Sequence, residues 1–119
     1  MLGDTITITH NAVSRVLSKI NQDNYSGEYL LRTATDEFRV RVRHSVDNAP
    51  KGTVAFDRHN IDLSVTTFAT PTTVEEVQTA NYTVRTRKSS NPANALLAAK
   101  ALNGWLTDAN VTKLIAWES

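Results

Sequence analysis

Arg39, Arg41 and Arg43 alternate with Phe38, Val40 and Val42, and further along Asn81, Thr83, Arg85 and Arg87 alternate with Ala80, Tyr82 and Val84. Side chains of a strand point to opposite faces in turn, so the three arginines of the first stretch share one face and its apolar residues the other. The second stretch repeats the arrangement. Guanidinium groups in a row attract phosphate through counterion release, and interspersed Asn and Thr add hydrogen bonds to sugar or base. A sheet surface is also a standard place to splay single-stranded RNA. One basic strand alone would mean only that its outer face meets water. Three like charges at alternate positions repel, and a second basic strand on the same face adds to that cost unless an anion compensates. If the two strands share a face, nucleic-acid binding is the better reading.

The whole chain is nearly neutral, with 13 basic and 12 acidic residues and a net charge of +1, so charge placement has to decide. Five of the 13 basic residues sit in these two segments, while the acids are spread along the chain and its loops.

The residue types of an enzyme are scarce. There is no cysteine, which excludes disulfides, thiolate metal sites and cysteine nucleophiles. His44-Ser45-Val46-Asp47 contains the members of a hydrolytic triad, but a triad is set by three-dimensional geometry rather than adjacency. No phosphate loop, GxGxxG, HExxH or calcium-loop pattern occurs. Asp57 and Asp62 flank Arg58-His59-Asn60 and are expected to pair locally with arginine. No catalytic residue, metal ligand, cofactor or small-molecule substrate is expected.

The elements that must position the arginines follow from periodicity. Thr5-Ile6-Thr7-Ile8-Thr9 reads as a half-buried strand, His10-Asn11-Ala12 as a turn and residues 14–20 as a second strand, followed by a break over residues 21–24. Together they predict a β-hairpin. Residues 28–32 and 38–44 are the next strands, Asp47 to Gly52 is turn chemistry, and residues 53–67 form a long strand with a bulge near Arg58. Pro71 places an exposed loop at residues 70–73, and the strand pattern resumes around Tyr82.

After Ser90 the character changes. Asn91 suits an N-cap, Pro92 the first helical position, and residues 93–101 are rich in helix formers. Gly104 is expected to end or loosen this helix, with Asp108 or Asn110 capping a short second one. At ~100° per residue, Leu96, Leu97, Leu102, Trp105 and Leu106 fall near 0°, 100°, 240°, 180° and 280°, so large apolar groups point nearly all round. One sheet cannot cover such a helix, and a second copy of the chain is the natural cover. Strands first and helices last give an α+β domain spanning residues 1–119, with an antiparallel sheet. The opening residues carry no leader pattern and no apolar run is long enough for a bilayer, so a cytosolic product without membrane association is expected.

End to end, the chain resembles the coat proteins of single-stranded RNA bacteriophages (the levivirus group), most closely the branch that infects Caulobacter. The carrying segments are LGDTITIT at residues 2–9, KINQDNYSGEY at 19–29, FRVRVRH at 38–44, RHNID at 58–62 and KLIAWES at 113–119. The resemblance implies an N-terminal hairpin, a five-stranded antiparallel sheet and two C-terminal helices, with two subunits joining sheets edge to edge and interlocking helices. It implies that dimers build a T=3 icosahedral shell in the bacterial host cytoplasm, with the joined sheet turned inward to the genomic RNA. The inward positions fall on Arg39, Arg41 and Arg43, on Asn60 and Asp62, and on Asn81, Thr83 and Arg85. Many relatives carry a base-stacking tyrosine where Asn81 stands, and some carry lysine at Asp62, departures that bear on recognition of one RNA hairpin and on translational repression. Residues 67–74 resemble the loop that gathers at the symmetry axes of such shells. The alternative is a small dimeric RNA-binding regulator that forms no shell.

Overall fold

The computed structural model describes residues 2–47 and 49–119; Met1, in the expected leaderless opening, and Asn48, in the expected turn, lie outside the described residues. Six strands follow in order: β1 (Thr5–His10), β2 (Val13–Gln22), β3 (Ser26–Arg32), β4 (Asp36–Asp47), β5 (Phe56–Thr67) and β6 (Glu76–Arg87). Two helices close the chain, α1 (Pro92–Trp105) and α2 (Asp108–Ile115). The strands form one antiparallel meander, each hydrogen-bonded to its sequence neighbours. The α+β fold is thus as expected, but with one strand fewer than a two-stranded hairpin plus a five-stranded sheet: the six strands form one sheet, in which β2 pairs with both β1 and β3. β2 runs on to Gln22 and pairs with β3 beyond a register shift between Lys19 and Asn21.

That shift is the irregularity of the sheet. The expected bulge near Arg58 is not there, because β4 and β5 pair without interruption from Asp36↔Thr67 to Asp47↔Phe56. A bulge bends its strand and increases local twist. Its position near the hairpin matches the way the sheet curls over itself, which brings β1 side chains onto β4. His10 meets the Phe38 ring edge-on at 5.2 Å between centroids, and the Arg15 guanidinium lies 5.2 Å from the same ring. The Tyr29 hydroxyl donates to the Gly3 carbonyl at 2.8 Å, fixing the start of the chain against β3.

Beneath the curl lies the core of Leu17, Tyr29, Phe38, Val40, Val42 and Val65, with Ile6, Ile8, Leu31 and Leu63 packed around it. These residues share one face because register partners do: Tyr29↔Val40 and Leu31↔Phe38, then Phe38↔Val65 and Val40↔Leu63. The turns use the local chemistry of their residues. Asn11 and Ala12 both take positive φ, 50° and 62°, which is the pattern of a two-residue hairpin turn. Asp23 Oδ1 accepts from the Tyr25 and Ser26 amides at 2.8 and 2.7 Å, so the turn sits one or two residues later than the expected break.

Asn91 caps α1 as expected, its Oδ1 accepting from the Ala93 amide at 3.1 Å. Gly104 does not end α1, which continues through it to Trp105, with nothing crowding the position. Thr107, rather than Asp108 or Asn110, caps α2 through its hydroxyl, while the Asn110 side chain donates back to the Trp105 carbonyl at 2.7 Å. α1 packs along β6 on the apolar face, where the Tyr82 hydroxyl donates to the Ala99 carbonyl.

The helices otherwise stand clear of the sheet. Leu96, Leu97, Leu102 and Trp105 are half or more exposed, Leu106 is 37% exposed, and neither helix buries a residue. On the sheet itself Ile61 remains open. The radius of gyration is 17.2 Å, against about 13.5 Å for a compact domain of this length. The accessible surface is 9084 Å², whereas a folded monomer of this mass exposes about 6,400 Å².

Candidate nucleic-acid interface

The face opposite the core carries the arginines of both strands. Register places Arg41 opposite Asp62 and Asp62 opposite Asn81, and next to this row Arg43, Asn60 and Thr83 line up across β4, β5 and β6. The condition that the two basic strands share a face is therefore met. The same parity adds residues that pattern reading passed over. Arg58 sits opposite Arg85, and Phe56 sits opposite Arg87. The signal was in the sequence, since Phe56, Arg58, Asn60 and Asp62 alternate as cleanly as β4 does. The apolar set Ile61, Leu63 and Val65 and the expected bulge near Arg58 obscure it.

Phe56 gives the end of this face a platform. The Arg85 and Arg87 guanidiniums lie 4.8 and 5.5 Å from its ring centroid, which restricts two long side chains whose charges remain available to solvent. Arg85 Nε and the Asp47 carboxylate are 2.7 Å apart.

The acids are less dispersed in space than along the chain. Glu28, on β3, pairs with Arg39 and stands 3.4 Å from Arg41; Glu37 reaches Arg32 at 2.7 Å and Arg39 at 3.6 Å; Asp62 reaches Arg43 at 3.8 Å. The Glu28 hydrogen bond raises the Arg39 pKa, and the hydrogen bond from Arg32 lowers that of Glu37. Across β3 to β6 the face thus holds Arg32, Arg39, Arg41, Arg43, Arg58, Arg85 and Arg87 against Glu28, Glu37, Asp47 and Asp62. The arginines are not an uncompensated comb. They are a positive excess interlaced with carboxylates, which holds them apart and relieves their repulsion.

Side chains differ in what they can offer. Arg39 is only 27% exposed and tied to two glutamates, whereas Arg43 and Arg85 are 58% and 52% exposed. Arg58 and Arg87 have no carboxylate within ion-pair distance among the described residues. Asn60 is buried, and its amide donates to Thr83 Oγ1 at 2.9 Å and the Tyr82 carbonyl at 3.3 Å, while its oxygen accepts from Arg43 at 3.4 Å. It ties the three strands together and aims Arg43 and Thr83. Asn81 is exposed.

The triad residue types of residues 44–47 do not converge. His44 and Ser45 point to opposite sides of β4, and the His44 Nδ1 contacts His59 Nδ1 at 2.8 Å instead of a hydroxyl. Asp57 pairs with Lys88 at 2.9 Å on the apolar side, rather than with an arginine as expected; Asp62 does pair with arginine. Among the described residues no cluster of three potential metal ligands occurs, and no helix is long and apolar enough to cross a membrane.

The site thus sits on a curled antiparallel sheet with one face packed on its core, one polar arginine-bearing face and two projecting C-terminal helices. The family described as "Phage phiCb5, coat protein" matches residues 3–87, all six strands, and the chain belongs to that family of phage coat proteins. Its place is the virion. No curated protein sequence matches the chain. Among solved structures, the bacteriophage EMS014 coat protein superposes with a TM-score of 0.61 at 16% identity, covering 83% of this chain and 67% of that one. That likeness shows a shared fold. A virus-like particle of bacteriophage ESE001 aligns with a TM-score of 0.48 at 18% identity over 80% of this chain and 86% of that one.

Proposed function

We propose that this coat protein acts as a dimer which closes into a T=3 icosahedral shell and packages single-stranded phage RNA on the face of Arg39, Arg41, Arg43, Asn60, Asn81, Thr83, Arg85 and Arg87. The single observation that carries the RNA part is the shared, solvent-facing placement of the β4 and β6 arginines. Polyanion binding by such a face is sequence-tolerant, because guanidiniums meet phosphates rather than base edges. Asn81 cannot supply an aromatic stacking platform. Bulk packaging therefore fits this face better than repression of translation through one RNA hairpin.

Dimerisation rests on surface left over. The excess of roughly 2,700 Å² over a compact monomer is well above the ~800 Å² that each partner buries in a standard interface and suits an obligate one. The apolar groups that need cover are Leu96, Leu97, Leu102, Trp105 and Leu106 on α1 and its cap, together with Ile61 on the sheet. β6 is a 12-residue edge strand with one side unpaired. Pairing of β6 with its own copy removes the open edge and lays each helical arm across the partner's sheet, a self-complementary contact. Residues 68–75, where Thr70 Oγ1 accepts from the Thr73 amide at 3.0 Å, supply the loop between β5 and β6 for contacts between dimers.

Expression in a bacterial cytoplasm followed by electron microscopy is the decisive experiment. Closed particles with nuclease-protected RNA and an absorbance ratio showing nucleic acid are expected. Dimers that bind RNA but stay small would establish the alternative, a regulator that forms no shell, and a monomer in sedimentation would end both.

A further inference from the structure

We infer that His44 and His59 bind one divalent transition-metal ion of tetragonal preference, Cu(II) first. The two residues are direct cross-strand partners on β4 and β5, on the face away from the arginines; both are exposed in the single chain and sit beside Tyr25 and Lys88 rather than at Tyr82, where α1 packs. Their Nδ1 atoms lie 2.8 Å apart, with ring centroids 5.0 Å apart and planes at 68°. Two neutral imidazoles make this contact by sharing one N–H, so one ring is the Nδ1–H tautomer and the other accepts. Binding needs that proton moved to Nε2 of the same ring, after which both rings are neutral and both Nδ1 lone pairs are free. No net proton is released. Each ring then turns about its terminal torsion, which is broad for histidine, to aim at a common point.

Ligand type selects the ion. Metal–nitrogen bonds of about 2.0–2.1 Å put two nitrogens about 2.9 Å apart at a 90° angle and about 3.3 Å apart at the tetrahedral angle, and the turned rings reach either spacing. Two imidazoles completed by water favour Cu(II) or Ni(II), which take tetragonal sites of nitrogen and oxygen ligands. Cu(II) also stands highest in the general affinity order for nitrogen sites.

Surroundings permit a cation. The recess beside the pair is lined by Tyr25, Val46, Asp57 and Lys88 among others. Lys88 is neutralised there by Asp57 at 2.9 Å, so no lone positive charge opposes the metal. Water completes the coordination, since no third histidine or carboxylate groups with the pair among the described residues. The remaining histidine, His10, packs on Phe38. Metal held by both strands favours the folded sheet in proportion to occupancy.

Purified full-length protein, in whatever assembly it forms, is titrated with CuSO₄ and followed by electron paramagnetic resonance. One equivalent per chain is expected, with superhyperfine splitting from two nitrogens. His44→Asn and His59→Asn should each remove that equivalent while His10→Asn keeps it, with particle size checked for every variant. In the unsubstituted protein, one equivalent of Cu(II) should protect His44 and His59, but not His10, from acylation by diethyl pyrocarbonate, which keeps the inference testable should a variant misassemble. A copper signal that survives either single substitution, lacks nitrogen splitting, or leaves both histidines reactive overturns the assignment, as does equal competition by Zn²⁺.

Discussion

Replacing Arg41 and Arg43 together by glutamine removes two guanidiniums from the middle of the polar face while leaving the core residues Val40 and Val42 untouched. Both side chains are largely open, at 43% and 58% exposure, and each has only a loose carboxylate contact, 3.4 Å to Glu28 and 3.8 Å to Asp62. Exposed pairs of this kind contribute about 0–1 kcal/mol, so the fold should survive with little loss. Affinity for RNA should not. If Arg41, Arg43, Arg58, Arg85 and Arg87 each meet one phosphate of a single strand, log K should fall with log salt at a slope of about −3.5, from ~0.7 per contact. The double variant should bring that slope to about −2.1. Between 50 and 200 mM salt, the unsubstituted protein would then lose roughly sevenfold more affinity than the variant. Fluorescence anisotropy with a labelled single-stranded oligonucleotide at several KCl concentrations measures both slopes, and sedimentation checks that the dimer persists. An unchanged slope with reduced affinity would mean that Arg41 and Arg43 do not face phosphate, and the RNA face would have to be sought elsewhere.

Other consequences are open to simpler assays. Ala12 holds φ at 62° without being glycine, so Ala12→Gly should raise stability by about 0.5–1 kcal/mol in urea unfolding, left-handed backbone costing an L-residue ~1–2 kcal/mol and glycine's extra freedom offsetting part of the gain. Leu96→Lys with Leu97→Lys should yield folded monomers in sedimentation, because both side chains are exposed in the single chain and would be buried only in a dimer; dimers at micromolar concentration would contradict that interface. Backbone hydrogen bonds, that from Tyr25 foremost, lower the Asp23 pKa below its ordinary 3.8. Its contribution is therefore complete above the unfolded pKa and disappears as pH falls through the lower folded one. Asp23→Asn should make the urea midpoint less sensitive to acidification between about pH 5 and pH 2.5, a range set by that ordinary carboxylate pKa, and an equal slope in both proteins would remove Asp23 from the account.

Local residue pattern sets the two faces of the strands and the start of α1, though not that of α2, which Thr107 caps. Alternation at period two is a local property: Phe38, Val40 and Val42 on one side and three arginines on the other leave β4 a single amphipathic arrangement, whatever its neighbours. The Asn91-Pro92 start of α1 is local in the same sense. Local pattern misleads where longer-range hydrogen bonding competes with it. Gly104 looked like a stop and is helix, because its cost of ~1 kcal/mol is small beside continuing the turn that Leu106 closes onto the Leu102 carbonyl. Arg58 looked like a bulge and is in register, because β4 offers twelve matched partners.

Which faces coincide depends on pairing between distant segments. Register between β5 and its two neighbours is a long-range property, since slipping by one residue would turn a whole strand over. That register brings Arg43, Asn60 and Thr83 into one row, sets Phe56 beneath Arg85 and Arg87, and delivers Glu28 from β3 to Arg39 and Arg41. It also puts His44 against His59, fifteen residues apart in the chain. Composition gives a protein of net charge +1 with basic and acidic residues in near balance; pairing across strands arranges that balance into an interlaced face with a positive excess, because charge acts through distance in space rather than position in sequence.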